Sequence, residues 1–185
     1  MSGVITKNRR IFTLNTKTLL EAFKKIKCFI FDVDGVLTNG TLLIMPGGLM
    51  ARVMNIKDGY ALQLAIKKGY KVMVISGGNS DEVKDRLQKL GVEEIFMKVA
   101  NKKTLLEELL ILHQLQPEEV LFMGDDMPDY EAMKMVGIAA CPSDAVADIK
   151  AICQYKTLVK GGEGCAREVI EKTLKLNDHW DIADH

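Results

Sequence analysis

Short apolar runs alternate with stretches of helical periodicity along most of this chain, and no other sequence feature restricts its fold as strongly. The apolar runs are nearly continuous, as expected for parallel strands that helices cover on both faces. The runs that predict strands are Cys28–Phe31, Val72–Ile75, Glu94–Met97, Val120–Met123 and Gly137–Ala140. The alternation therefore predicts an α/β fold that is built on a parallel sheet.

The helical stretches have recognisable ends. Asp58 is a capping residue ahead of a helix that Gly69 stops. Asn79 and Glu82 have the spacing of a capping box, and Gly91 closes the helix that follows them. Further helices are predicted at Thr16–Lys25, at Lys102–Leu115 behind Asn101, after Pro128, at Asp144–Ile152 behind Ser143, and at Cys165–Leu176.

One segment interrupts the alternation directly after the first strand. Thr41–Met45 and Met50–Ile56 flank the turn sequence Pro46–Gly48, and this pattern predicts a β-hairpin. The hairpin carries more apolar residues than one of its faces can bury, which is typical of an interface.

The length of 185 residues suits one core, and no internal repeat or low-complexity linker divides the chain. We therefore expect a single domain over residues 1–185. We expect a leading helical segment at residues 1–25 and a frayed tail at residues 177–185.

Charge and composition exclude several classes of protein. The chain has 25 Lys plus Arg and 25 Asp plus Glu, so it lacks the cationic surface that a nucleic-acid-binding protein needs. No apolar stretch approaches the roughly 20 residues of a membrane-spanning helix. The cysteines are scattered, without a C-x-x-C pair, which favours reduced thiols and a cytoplasmic location over a disulfide framework or a zinc site. These cysteines are Cys28, Cys141, Cys153 and Cys165.

Polar residues follow three of the predicted strands at the point where each strand ends. Asp32 and Asp34 follow the first strand, Ser76 follows the second, and Asp125 and Asp126 follow the fourth. Ligands of open parallel sheets bind outside the carboxyl ends of the strands. The sequence therefore predicts a functional site at this edge of the sheet.

The aspartates in this set would repel one another if all were ionised. Two like charges about 4 Å apart cost about 4 kcal/mol at an effective dielectric constant of about 20, so such a cluster needs a cation, a proton or diverging side chains. Oxygen ligands without a His or Cys cluster favour Mg²⁺. Asp129 taken alone is better explained as a turn or capping residue.

A phosphate ester would supply the remaining chemistry. Asp32 can attack phosphorus and form an aspartyl-phosphate, and Asp34 can protonate the leaving alkoxide and later deprotonate water. Ser76 and the amide of Gly77 can hold phosphoryl oxygens, and Lys102 at a helix start can add a positive charge. For Ser76 and Lys102 the alternatives are an ordinary loop residue and a solvated surface lysine.

These residues also carry a resemblance to a known superfamily. Phe31–Thr38 resembles motif I of the haloacid dehalogenase superfamily, D-x-D-G-x-[LV]-T, and Ile75–Gly77 is similar to its motif II. Lys102 is similar to motif III, and Gly124–Asp129 is similar to motif IV, G-D-D-x-x-D. The resemblance implies a Rossmann-like three-layer sandwich with a hairpin flap and no cap domain.

The resemblance also implies roles for individual residues. Asp32 would be the nucleophile and Asp34 the general acid and base, with Lys102 between the nucleophile and the phosphate. Mg²⁺ would be bound by Asp32, by the backbone carbonyl of Asp34 and by Asp125. Asp126 and Asp129 would then support the metal ligands without binding the ion.

Two further segments resemble one family within this superfamily. Asn55–Tyr60 and Gly161–Glu168 are similar to segments of the 3-deoxy-D-manno-octulosonate 8-phosphate (KDO 8-phosphate) phosphatases. The resemblance implies hydrolysis of KDO 8-phosphate in lipopolysaccharide biosynthesis. The alternatives are a phosphatase for a nine-carbon ulosonate 9-phosphate and a non-catalytic oligomerising module on the same fold.

Specificity would have to come from outside a cap domain, because neither stretch between the motifs is long enough to form one. In that family a homotetramer covers the site, so the resemblance implies a homotetramer here. Arg86 and Lys89 lie three residues apart on one helical face and could bind a substrate carboxylate, although a solvated basic face fits the pattern equally well. Arg167 is the other candidate, because the glycines before it suggest a mobile loop that reaches a neighbouring active site.

Overall fold

The structure is a computed structural model and describes residues 16–181. Its centre is a six-stranded sheet with the order β5-β4-β1-β6-β7-β8, and every pairing between these strands is parallel. A separate antiparallel pair is formed by β2 and β3. The strands are β1 (Cys28–Phe31), β2 (Leu43–Ile44), β3 (Met50–Ala51), β4 (Lys71–Ile75), β5 (Glu94–Phe96), β6 (Val120–Met123), β7 (Ile138–Cys141) and β8 (Tyr155–Lys156).

Helices cover both faces of this sheet. They are α1 (Thr16–Lys25), α2 (Ile56–Lys67), α3 (Asp81–Lys89), α4 (Lys102–Leu112), α5 (Tyr130–Met133), α6 (Ala147–Ile152) and α7 (Cys165–Leu176). Side chains of α1, α2, α3 and α7 share one core with Phe29 and Phe31, whereas those of α4, α5 and α6 share another with Cys28 and Ile30. Successive side chains of β1 point into the two cores in turn, because a strand has a period of two residues. The predicted α/β sandwich with a parallel central sheet is therefore confirmed.

The five predicted strands are present, with bounds that differ by a residue at some ends. The sequence did not predict β8, which has only two residues and lies at the edge of the sheet. A strand this short leaves no run of apolar residues to detect. The predicted hairpin is present as β2 and β3, with Leu43 opposite Ala51 and Ile44 opposite Met50. Its arms are shorter than predicted, and Ile56 is the first residue of α2 and not the end of the second arm.

Two helices are capped by residues other than the predicted ones. Asn55, and not Asp58, caps α2, because the Asn55 side chain accepts a hydrogen bond from the amide of Lys57. Ser80, and not Asn79, caps α3 through the amide of Val83. Asn55 lies three residues before Asp58 and Ser80 lies one residue after Asn79, and only the local backbone decides between such neighbours.

Two other helix ends also differ from the prediction. The helix predicted behind Ser143 begins only at Ala147, because the backbone of Val146 is extended (φ −64°, ψ 157°) and interrupts any earlier helical turn. The predicted helix over Lys102–Leu115 ends at Leu112, while its cap Asn101 is confirmed by a hydrogen bond from the Thr104 amide.

The segment that follows α7 makes specific contacts. The sequence predicts fraying from residue 177 onward, whereas the structure places the Tyr70 hydroxyl 2.9 Å from Nδ1 of His179. The ring of Trp180 lies edge-on to Tyr60, with 6.3 Å between the ring centroids. Residues 182–185 of that predicted tail lie outside the described residues, as do residues 1–15 of the predicted leading segment. Within residues 16–181, no helix combines the length and the hydropathy needed to cross a bilayer.

Candidate active site

Three carboxylates meet where two neighbouring strands end. Asp32 directly follows β1, and Asp125 and Asp129 follow the adjacent strand β6. One carboxylate oxygen from each of the three lies within 4.8 Å of the others. Adjacent parallel strands with the same direction bring these residues together at one edge, as the sequence predicted.

Lys102 connects two of these carboxylates. Its Nζ lies 2.9 Å from Oδ1 of Asp32 and 2.6 Å from Oδ1 of Asp129. The lysine is 4% exposed and Asp129 is fully buried. The lysine lies at the N-terminus of α4, whose cap Asn101 fixes where the helix begins. Lys102 is therefore a buried cation of the site, and the alternative of a solvated surface lysine is wrong.

Burial and mutual repulsion alter the acid–base properties of the cluster. Burial, together with the charge of Asp129, raises the pKa of Asp32 to about 6 against the opposing effect of Lys102. Burial, followed by the charges of Asp32, Asp129 and Asp126, raises the pKa of Asp125 to about 7. For Lys102, burial favours the neutral form, but the two carboxylates outweigh it and raise the pKa. The cluster therefore carries more negative charge than one lysine neutralises.

The chemistry of this cluster fits a hard divalent cation. Oδ1 of Asp125 is buried and has no hydrogen-bond partner among the described residues. A buried carboxylate oxygen without a partner is costly, and a cation would satisfy it. Oxygen donors from Asp32 and Asp125 match the preference of Mg²⁺. The residues present therefore fit the predicted metal.

Gly35 forms the wall next to this unpartnered carboxylate. Its φ is +90°, and a Cβ at this position would lie 2.1 Å from Oδ2 of Asp125. Glycine is therefore required twice here, for the backbone conformation and for the close approach of the carboxylate.

Asp129 and Asp126 have different surroundings. Oδ2 of Asp129 accepts a hydrogen bond from the Asp125 amide at 3.2 Å, while Oδ1 is bound by Lys102. The carboxylate of Asp126 is exposed and caps a short 3₁₀ turn through the Met127 amide. The interpretation of Asp129 as a mere turn residue is wrong, because this side chain orients both Lys102 and Asp125.

The Asp34 carboxylate lies outside the three-carboxylate cluster. It forms a bidentate ion pair with Arg52 of the hairpin, with 2.6 Å from Nε to Oδ1 and 3.0 Å from Nη2 to Oδ2. Sequence reasoning missed Arg52, since one arginine in a hairpin carries no recognisable pattern. Its position one residue after β3, in an otherwise apolar hairpin, was the only available signal.

The loop after β4 faces the same edge. Ser76 is buried, and its Oγ accepts a hydrogen bond from the Gly78 amide at 3.1 Å, whereas Gly77 is exposed. A Cβ on Gly78 would lie 2.9 Å from Oδ2 of Asp34 and 3.4 Å from the Ser76 Oγ. The structure therefore brings Ser76 and Asp34 to one corner, and the role of Ser76 and Gly77 in phosphate binding stays a prediction.

The structure gives different surroundings to Arg86 and Lys89, the two basic residues of α3 that the sequence proposed as substrate contacts. Arg86 lines a cavity of about 290 Å³ between the hairpin and the start of α3, together with Arg52. Both residues are exposed, but Lys89 does not belong to the lining of this cavity. Of the two predicted substrate contacts, Arg86 therefore has the better-placed side chain.

Arg167 makes its contacts within its own chain. Its Nε donates to Glu171 at 3.0 Å, and its guanidinium lies 5.0 Å from the ring centroid of Trp180. Its amide donates to Oδ1 of Asp58 at 2.7 Å. These contacts attach Arg167 to α7, α2 and the segment after α7, and its role toward a substrate stays a prediction.

The glycines before Arg167 pack tightly against the loop that follows Asp32. A Cβ on Gly161 would lie 1.9 Å from the Gly35 carbonyl oxygen, and one on Gly162 would lie 2.6 Å from the Asn39 amide. The Gly162 amide donates to the Val36 carbonyl at 2.9 Å. The interpretation of this segment as a mobile loop is therefore wrong, because the segment is packed against the rest of the domain.

The chain is similar in sequence to a known family and to individual proteins of known activity. Residues 91–169 match the haloacid dehalogenase-like hydrolases. The chain is 31% identical over 165 residues to the 3-deoxy-D-manno-octulosonate 8-phosphate phosphatase KdsC of Yersinia pestis, and the match covers 89% of this chain and 88% of the relative.

Solved structures show the same similarity. The KDO 8-phosphate phosphatase of Moraxella catarrhalis, in complex with magnesium, phosphate and KDO, matches with a TM-score of 0.86 and 29% identity over 89% of this chain and 95% of that one. The cobalt-bound form of the corresponding phosphatase from Haemophilus influenzae matches with a TM-score of 0.83 and 27% identity over 88% and 97%.

Proposed function

Because this chain belongs to the haloacid dehalogenase-like hydrolases, and among them to the family of the KDO 8-phosphate phosphatases, we propose that it hydrolyses KDO 8-phosphate to KDO and phosphate. The reaction depends on Mg²⁺ and serves the biosynthesis of the lipopolysaccharide sugar. The observation that carries this proposal is the convergence of Asp32, Asp125 and Asp129 around Lys102 at one edge of the sheet.

Asp32 is the nucleophile of this reaction. A carboxylate oxygen of Asp32 forms a bond to phosphorus while the bond between phosphorus and the sugar oxygen breaks. Asp34 gives a proton to the departing alkoxide. In the second half, Asp34 takes a proton from water, and the water oxygen displaces the Asp32 carboxylate from phosphorus. Phosphate leaves, and Asp32 is regenerated.

Lys102 and the loop after β4 hold the phosphoryl group. The buried ammonium group of Lys102 neutralises part of the charge on Asp32 and on the phosphoryl oxygens. Ser76 and the Gly77 amide bind other phosphoryl oxygens from the neighbouring strand end. Asp129 keeps Lys102 in place through the 2.6 Å contact.

Asp32, Asp125 and the backbone carbonyl of Asp34 are the residues that would hold Mg²⁺. When bound, the ion neutralises the approach of two anions, the nucleophile and the phosphate ester. The Asp125 side chain is kept ready for this role because Gly35 leaves room for it.

Phosphate release from a panel of sugar phosphates tests the substrate, with Asp32→Asn as the inactive control. We expect the highest kcat/KM for KDO 8-phosphate, no activity in Asp32→Asn, and loss of activity with a chelator that added Mg²⁺ restores. A preference for a nine-carbon ulosonate 9-phosphate would select the alternative substrate. No release from any ester would favour the non-catalytic module.

The proposed organisation is a single domain that assembles into a cytoplasmic homotetramer. Support for the assembly comes from the hairpin, where Leu43, Ile44 and Val53 are each more than 60% exposed. Apolar patches of this kind are typical of interfaces, and closed symmetric oligomers are the common outcome. Met54, another apolar residue of the predicted hairpin, packs against the core instead. Sedimentation analysis tests the assembly, and an active monomer at low concentration would refute it.

A further inference from the structure

The hairpin contacts Asp34 through a bidentate ion pair from Arg52. Two nitrogens of the Arg52 guanidinium donate to both oxygens of Asp34, and Nη1 donates to the Met50 carbonyl at 3.1 Å. The Arg52 side chain is 6% exposed, whereas the Asp34 side chain is 34% exposed. Bidentate pairs of this kind fix the geometry of both partners.

This pair conflicts with the role of Asp34 in the reaction proposed above. To transfer protons to and from the reacting oxygens, Asp34 must direct a carboxylate oxygen at them within hydrogen-bond reach. In the described state both Asp34 oxygens are engaged by Arg52. The bidentate pair holds both oxygens toward Arg52, so we expect Arg52 to release at least one of them when Asp34 turns to the reacting oxygens.

A cavity next to the pair offers the released guanidinium another partner. Arg52 and Arg86 both line the cavity of about 290 Å³, and its remaining wall is largely apolar hairpin. Glu82 lines it too, but its carboxylate is already bound by the Ser80 hydroxyl at 2.8 Å. Two guanidinium groups beside an apolar wall suit an organic anion that carries a carboxylate.

Gly78 keeps the corner between the cavity and the active site open. A Cβ there would lie 2.9 Å from Oδ2 of Asp34 and 3.4 Å from Nη2 of Arg52. A larger residue would push against the ion pair. The chain therefore leaves space at the point where a substrate would pass from the cavity to Asp34.

We propose that Arg52 is a specificity-determining residue that exchanges the Asp34 carboxylate for the carboxylate of the substrate. Asp34 is then released for proton transfer when the bound ester carries this second anion, and it stays paired when the ester lacks it. The inference rests on the proposed function, since it assumes a sugar-acid phosphate as the substrate. The hairpin thereby selects the substrate by charge.

The experiment compares two esters that differ in the carboxylate. KDO 8-phosphate carries the carboxylate and mannose 6-phosphate does not, and both release an alkoxide. The measured quantity is the ratio of their kcat/KM values by phosphate release, for the unmodified protein, Arg52→Met and Arg52→Lys. Lys134→Met is the matched control, because it removes an exposed cation that pairs with Glu131 on the surface.

We expect Arg52→Met to lower this ratio about 10- to 100-fold, as expected for the loss of a charged hydrogen bond to the substrate. Arg52→Lys should give an intermediate ratio, because the lysine keeps the charge without the bidentate geometry. Lys134→Met should leave the ratio unchanged. If Arg52→Met does not fold, Arg52→Gln takes its place, and the same fall of the ratio is expected.

The outcomes separate the inference from the proposed function. If the unmodified protein prefers KDO 8-phosphate and Arg52→Met lowers the ratio less than tenfold, the inference is overturned and the proposed function stands. Equal losses of kcat/KM for both esters would also overturn the inference, since they would indicate that Arg52 has a purely structural role. If the unmodified protein shows no preference for KDO 8-phosphate, the proposed substrate and the inference fail together.

Discussion

Gly35→Ala tests whether the loop after the nucleophile positions the proposed metal ligand Asp125. The new Cβ would lie 2.1 Å from Oδ2 of Asp125, and real contacts of this kind do not fall below 3.0 Å. The carboxylate or the loop must therefore move by at least 0.9 Å, the difference between these two distances. Displacements of about 1 Å in a catalytic group lower rates about 100-fold.

The same substitution also strains the backbone. A non-glycine residue at φ +90° costs about 1–2 kcal/mol, which would lower the melting temperature of a domain of this size by a few degrees. Gly69→Ala is the matched control, because Gly69 has φ +85° and a Cβ there would meet nothing within 4 Å. Both variants should lose similar stability from the backbone term.

The assay is phosphate release at saturating Mg²⁺, with Mg²⁺ affinity measured by calorimetry on the same samples. We expect Gly35→Ala to lose about 100-fold in kcat/KM and to bind Mg²⁺ more weakly, while Gly69→Ala keeps both values. A Gly35→Ala protein with normal turnover and normal Mg²⁺ affinity would refute the argument that glycine is needed for the position of Asp125.

Three further predictions concern buried carboxylates. Lys102→Met should destabilise the fold by about 3–5 kcal/mol and abolish turnover, because Asp32 and Asp129 lose a shared buried cation; denaturant unfolding with an unchanged midpoint would contradict this. Calorimetry should show that Asp125→Ala weakens Mg²⁺ binding more than Asp129→Ala does, because both Asp129 oxygens already have protein partners; the reverse order would exclude Asp125 as the main ligand. Asp58 has a pKa raised to about 6 from 3.8, chiefly by burial, so the folded state binds its proton more tightly and stability falls as pH rises from about 4 to 6. Urea unfolding across this pH range should show that the free energy of unfolding falls less in Asp58→Asn than in the unmodified protein, by an amount on the order of 3 kcal/mol. Identical dependence of this free energy on pH in the two proteins would rule the effect out.

The strands and the residues at their ends were predictable because each depends on local sequence. A continuous apolar run such as Cys28–Phe31 can be buried on both faces only in a covered parallel sheet. The polar residues that follow such runs must then gather at one edge, so the sequence pattern by itself places Asp32 and Asp125 together. The predicted nucleophile and metal ligands rest on this reasoning.

The surroundings of those residues were not predictable, because they depend on contacts between distant segments. Arg52 reaches Asp34 across 18 residues, and Lys102 reaches Asp129 across 27. No periodicity indicates which side of a two-residue strand such as β3 an adjacent arginine will occupy. The predicted start of α2 was wrong for a related reason. Asn55 and Asp58 are both competent capping residues, and only tertiary contacts assign their roles.

Asp58 makes such a contact between distant segments, α2 and α7. It lies in the first turn of α2 and accepts a hydrogen bond from the Arg167 amide in the first turn of α7. The N-terminus of α7 presents unpaired amides and a partial positive charge, which offset part of the cost of burying this carboxylate. Asp58 therefore caps α7 from another helix, and this explains why it did not cap its own.

The glycine-rich segment before α7 completes the same arrangement. Gly161 and Gly162 approach the loop at Gly35 so closely that neither has room for a Cβ, and the Cys165 thiol lies 3.1 Å from the Val36 carbonyl. The start of α7 thus presses on the loop that carries Asp34 and follows Asp32. Asp58 holds this helix start in place by accepting the hydrogen bond from the Arg167 amide. The two segments that resemble the KDO 8-phosphate phosphatases therefore support the loop after Asp32 through packing, and we expect a substitution in either of them to alter turnover without contact with the substrate.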